Sequence, residues 1–105
     1  MPVLAGNTTT ATPTIATATS TTILAANRER KFLLIQNNSA ADIAIGLEGQ
    51  TFTGIAPTST NKCFVLKSTA GLNIIRFEAG FVPAGAITAY QTSGSPINTV
   101  VVIEG

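Results

Sequence analysis

Side chains able to perform acid–base, nucleophilic or metal chemistry are few in this chain of 105 residues. Histidine is absent, which removes the commonest general base and the commonest metal ligand. The single cysteine, Cys63, has no imidazole to activate it. Flanked by Lys62 and Phe64 in an apolar run, it reads as a small packed hydrophobe, and alone it cannot form an intramolecular disulfide. The carboxylates are Glu29, Asp42, Glu48, Glu78 and Glu104. A glycosidase-type acid pair needs two of them face to face, with Glu48 and Glu78 as the members to test. All five fall at turns or ends of apolar runs, in a chain without tryptophan, and read as solvated ends. Asp42 and Glu48 bracket one such run but lack the alternating acids and glycine of a calcium loop. Gly80 and Gly85 lie in AGFVPAG, which fits neither phosphate-binding glycine pattern and reads as a bend between strands. The expectation is therefore a protein that binds or builds: not an enzyme, with no catalytic residues, cofactor or metal.

Charge narrows the partners. Charged residues make up only 10% of the chain, against about 25% in ordinary soluble domains, and the formal net charge is +1. Weak mutual repulsion favours association and suits a surface partly covered by neighbours. The bases are Arg28, Arg30, Lys31, Lys62, Lys67 and Arg76; only the first three cluster, around Glu29. That cluster reads as a solvated turn or, functionally, as a contact to an acidic partner surface through bidentate arginines. Without a basic face and stacking aromatics, nucleic acid is not an expected partner. No apolar run is long enough to span a bilayer, and the N-terminus lacks the charged and apolar regions of a signal peptide, so a soluble protein made in a reducing compartment is expected. The sequons at Asn7 and Asn37 then read as accidents of composition.

The elements that would position these groups are strands. Residues 1–20 are rich in Thr and Ala and uncharged; Thr8, Thr10, Thr12 and Thr14 alternate, and Ile15 is the large apolar residue among them. β-Branched residues at period two favour extended backbone. This segment is expected to be an N-terminal arm that adds a strand to, or lies on, a neighbouring subunit. A single phase-broken threonine stretch does not supply the repeated rungs of an ice-binding face. From residue 21 to 105, short strands alternate with turn signals: 22–26, 31–36, 42–47 with a brief extension at 51–53, 62–67, 72–77, 86–91 and 99–104. KFLLIQ is expected to be buried on both faces. In DIAIGL, Ile43, Ile45 and Leu47 point inward and Ala44 and Gly46 outward; Phe64 and Leu66 point inward from KCFVLK. Strand starts every 10 to 13 residues or so are the pattern of a single-domain antiparallel β-sandwich or jelly-roll-like barrel.

The run TTILAANRERKFLLIQNNSAADIAIGL, with an Asn-Arg turn leading into a strand that ends in I-Q-N and then a second alternating strand, resembles small β-rich structural proteins of tailed bacteriophages; the terminal VVVIEG is similar as well. The likeness covers residues 20–48 and 99–105. It implies a capsid decoration (cement) protein on the outer surface of the virion, made in the host cytoplasm. The implied partner is the major capsid protein, and the implied assembly a homotrimer. Under that reading, Thr8, Thr10, Thr12, Thr14, Ile15, Arg28, Arg30 and Lys31 are the expected capsid or subunit contacts. The alternatives are a head-fibre or tail component or carbohydrate-binding module for host attachment, with Phe52, Phe81 and Tyr90 as sugar platforms, and the glycan hydrolase already weighed.

Overall fold

The computed structural model describes residues 8–59, 62–78 and 80–105. Eight strands are present: β1 (Thr9–Ala11), β2 (Thr21–Leu24), β3 (Phe32–Asn37), β4 (Ile43–Gly46), β5 (Phe64–Leu66), β6 (Ile74–Glu78), β7 (Ile87–Tyr90) and β8 (Val100–Glu104). They form two antiparallel four-stranded sheets, in the orders β1-β8-β3-β6 and β2-β7-β4-β5. The fold is an all-β sandwich. Among the described residues, no helix is long and apolar enough to cross a membrane.

Alternation explains the core. Leu33 and Ile35 of β3 and Val100 and Val102 of β8 meet Ile43, Ile45, Leu66, Ile87 and Ala89 of the facing sheet. Branched aliphatic residues at period two stand on the inner face of each pleated strand and interdigitate with those opposite.

The two sheets differ on their outer faces. Every residue of β4 and of β7 is buried, because the segment after β4 folds back over the second sheet and lays Phe52 against Ala44 and Tyr90. Ala44 and Gly46, expected to face solvent, are thus covered. Gly46 is required by that approach: a Cβ there would collide with the Phe52 ring and stand 2.9 Å from the Thr88 hydroxyl. Among the described residues, the outer face of the first sheet has no such cover. β3 is not buried on both faces as its composition suggests; Leu33, Ile35 and Asn37 are buried and Phe32, Leu34 and Gln36 only half so. Residues 51–53 form no strand but present Phe52 as the lid, anchored by its amide, which donates to the Ser20 hydroxyl at 2.7 Å.

Residues 8–20 do not project from the domain. β1 pairs with β8 of its own chain, Thr10 facing Ile103, and Ile15 exchanges two backbone hydrogen bonds with Ile97. Ile15 is fully buried in the main core. The part of the expected arm within residues 1–7 lies outside the described residues.

Gly46→Ala should destabilise the fold by about 1–3 kcal/mol, because the added methyl must displace the Phe52 ring or shift β4. Urea unfolding at equilibrium measures this, and an unchanged midpoint would show that the lid yields without strain.

Candidate interaction site

The eight residues expected to meet a partner fall into two groups. Thr8, Thr10, Thr12, Thr14, Arg28 and Lys31 are exposed. Ile15 and Arg30 are not: the first fills the core and the second is a buried internal tie. Neither is placed to touch a partner surface.

Arg30 is a buried side chain whose donors reach three separate segments of the chain. Its Nε donates to Glu104 Oε1 at 2.7 Å, one terminal nitrogen donates to the carbonyls of Pro83 and Gly85, and the other to the Ala25 carbonyl at 2.8 Å. Asn27 completes the knot: its side-chain amide donates to the same Glu104 oxygen at 3.1 Å, its backbone amide donates to the Ala84 carbonyl, and its side-chain oxygen accepts from the Glu29 amide. The Asn-Arg turn thereby joins the end of β2, the loop before β7 and the end of β8. A guanidinium carries five donors in a fixed fork, so it can satisfy several carbonyls where a lysine could not.

Two buried amides act similarly elsewhere. Asn37 donates to the carbonyls of Ala41 and Leu66, at 2.7 and 3.1 Å, and accepts from Ser39. Gln91 donates to the carbonyls of Ile15 and Ser95, each at 3.1 Å, and accepts from Ser93. Burial of Asn37 inside this network leaves its sequon structural.

Among the described residues, three of the carboxylates are each tied to a cation. Asp42 binds Lys67 at 3.4 Å and accepts from the Ser68 amide; Glu78 pairs with Arg76 at 3.4 Å; Glu104 belongs to Arg30. Among the described residues, no group of three His, Cys, Asp or Glu stands close enough to hold a metal ion. Cys63 packs beside Phe52 and Tyr90, its Sγ 3.8 Å from the Ile55 carbonyl, and burial pushes the thiol's pKa up, against the direction a nucleophile needs. It lines a shallow groove of about 410 Å³ with Ile45, Leu47, Glu48, Gln50, Lys62 and Phe64. Of the aromatics proposed as sugar platforms, Phe52 and Tyr90 are buried in the lid cluster, and only Phe81 is exposed, its ring edge-on to Phe77 at 5.9 Å.

The candidate interaction surface is the face of the first sheet that no described segment covers. Ladder register sets Thr10, Ile103, Leu34 and Arg76 side by side across all four strands, with Val101, Gln36 and Ile74 in the next row. Phe32, Leu34, Val101 and Ile103 are half-buried there, and Ile74 is exposed. This face has little signature in the sequence, since KFLLIQ and TVVVIE look the same whether covered on one side or two.

No protein-family model, no curated protein and no solved structure matches the chain.

Arg30→Ala should cost about 3 kcal/mol or more, since it leaves Glu104 without its charge partner and the Ala25, Pro83 and Gly85 carbonyls without this donor. Ile15→Ala should cost about 2–5 kcal/mol as a core truncation. Both are read from chemical denaturation; an Ile15 variant within about 0.5 kcal/mol of the parent would mean that residues 8–20 are not part of the folded unit in solution.

Proposed function

We propose that this chain is a structural protein of a tailed-phage virion, a capsid decoration protein that binds the outer surface of the major capsid protein shell and stabilises the head. The observation that supports the reading best is the asymmetry of the sandwich. One sheet is closed on its outer face by the Phe52 lid, while the other leaves Phe32, Leu34, Val101 and Ile103 half-exposed in contiguous rows. Contiguous apolar surface of this kind marks an interaction face, and adhesion through such a face needs no reactive groups. Scarce charge fits the same role: a surface of Thr, Ser, Asn and Ala is inexpensive to desolvate against a neighbour.

In this reading the first sheet lies toward the shell, and the exposed threonines of residues 8–14 sit at the rim of the contact. Repetition over the many equivalent positions of an icosahedral shell multiplies a modest single-site affinity.

The test uses heads assembled from the major capsid protein of the same genome without this chain. Leu34→Lys and Ile103→Lys should each lower occupancy on such heads by about tenfold or more, because each buries an unpaired ammonium in the contact. Thermal unfolding of the isolated protein should shift little, since both side chains face outward. Full occupancy by both variants would rule out this face as the docking surface, and failure of the parent protein to bind heads would rule out the function.

A further inference from the structure

The first sheet ends at β6, which pairs with β3 on one side and with no described strand on the other. Ladder alternation shows which backbone groups face that open side. The Asn37 amide donates to the Asn73 carbonyl, so the hydrogen-bonded positions toward β3 fall on Asn73, Ile75 and Phe77. Ile74, Arg76 and Glu78 turn their N–H and C=O groups outward. The exposed large apolar side chains of the described chain, Leu72, Ile74 and Phe81, all belong to this strand or its flanks.

Charges on an edge strand ordinarily repel a second copy. Arg76 and Glu78 are arranged differently. They carry opposite sign, lie two residues apart on the outer face, and flank Phe77; both are exposed, at 61% and 56%. Antiparallel pairing of β6 with β6 of a second copy, centred on Phe77, sets each Arg76 directly opposite the other copy's Glu78. Centring on Arg76 or on Glu78 would instead set like charges face to face. The charge pattern therefore selects one register. In that register the two Phe77 residues form a non-hydrogen-bonded pair, the type in which side chains approach most closely, and each brings its edge-on Phe81.

We propose that β6 is a self-association edge: two copies of the chain pair β6 to β6 about a two-fold axis at Phe77, making one continuous eight-stranded sheet. The contact is isologous, with main-chain hydrogen bonds supplying adhesion and the crossed Arg76–Glu78 pairs supplying register. It closes at two copies, so it is not the three-fold contact of the trimer implied by the resemblance, and it holds whether or not the protein binds a capsid.

Sedimentation equilibrium over a wide concentration range tests this, with circular dichroism confirming that each variant is folded. The parent chain should show a monomer–dimer equilibrium that weakens with added salt. R76E and E78R each set like charges opposite one another at two symmetry-related positions, and each should raise the dimer dissociation constant by roughly tenfold. The double variant R76E/E78R exchanges the two charges and should return the constant to near its parental value. A parent that stays monomeric at every concentration, a trimer indifferent to the single reversals, or a double variant no tighter than the singles would each overturn the proposal.

Discussion

A guanidinium with no exposed side-chain surface has to find oxygen atoms for its donors, and the fold is built around meeting that requirement at Arg30. In meeting it, the side chain ties together segments that belong to opposite sheets: the end of β2 and the loop before β7 from one, the start of β3 and the end of β8 from the other. Packing alone would leave two greasy sheets able to slide. Directional bonds from one rigid fork fix their relative position at one end of the sandwich, while Asn37 and Gln91 tie down further crossovers. These contacts specify geometry more than they add stability, because withdrawing a charge from water offsets much of what its pairing contributes.

With the sheets held in place, the two differ in what covers their outer faces. The second sheet admits a lid because its strands carry small residues where the lid lands: Gly46 has no Cβ to meet the Phe52 ring, and Ala44 has little more. At the corresponding places the first sheet carries Leu34, Val101 and Ile103, and no segment of the described chain crosses them. Closure on one side and openness on the other follow from side-chain size at a few strand positions. Both proposed association surfaces, the open face and the β6 edge, belong to the first sheet.

The strand plan was legible from alternation and turn residues, since period two and Asn/Gly/Pro punctuation are local properties. Boundaries moved by a residue or two, inward from 62–67 to Phe64–Leu66 but along the chain from 72–77 to Ile74–Glu78. What local reasoning missed were the roles of polar side chains whose partners are distant. Arg30 looks like one more member of a charged turn until Glu104, at the far end of the chain, is seen to accept from it. Asn37 reads as turn chemistry, although its acceptors include the Leu66 carbonyl. Ile15 did carry a signal, a lone large aliphatic residue in a threonine-rich stretch, but nothing in the sequence says whose core an anchor enters. Phe52 and Tyr90 read as separate aromatics and are in fact neighbours, Phe52 covering Tyr90 as the lid.

The pairing of the first strand with the last has a kinetic consequence. β1 adds to β8, β8 to β3 and β2 to β7, so most ladders join segments far apart along the chain. Each needs a long loop to close before its hydrogen bonds form, and that entropy is lost before any contact compensates for it. A topology of this kind belongs with the slow folders, reaching the native state in milliseconds to seconds where a local helical bundle takes microseconds. Over that interval β8, with Val100–Val101–Val102–Ile103, waits without its neighbours, so the span between collapse and completed pairing is when this chain is most vulnerable to aggregation.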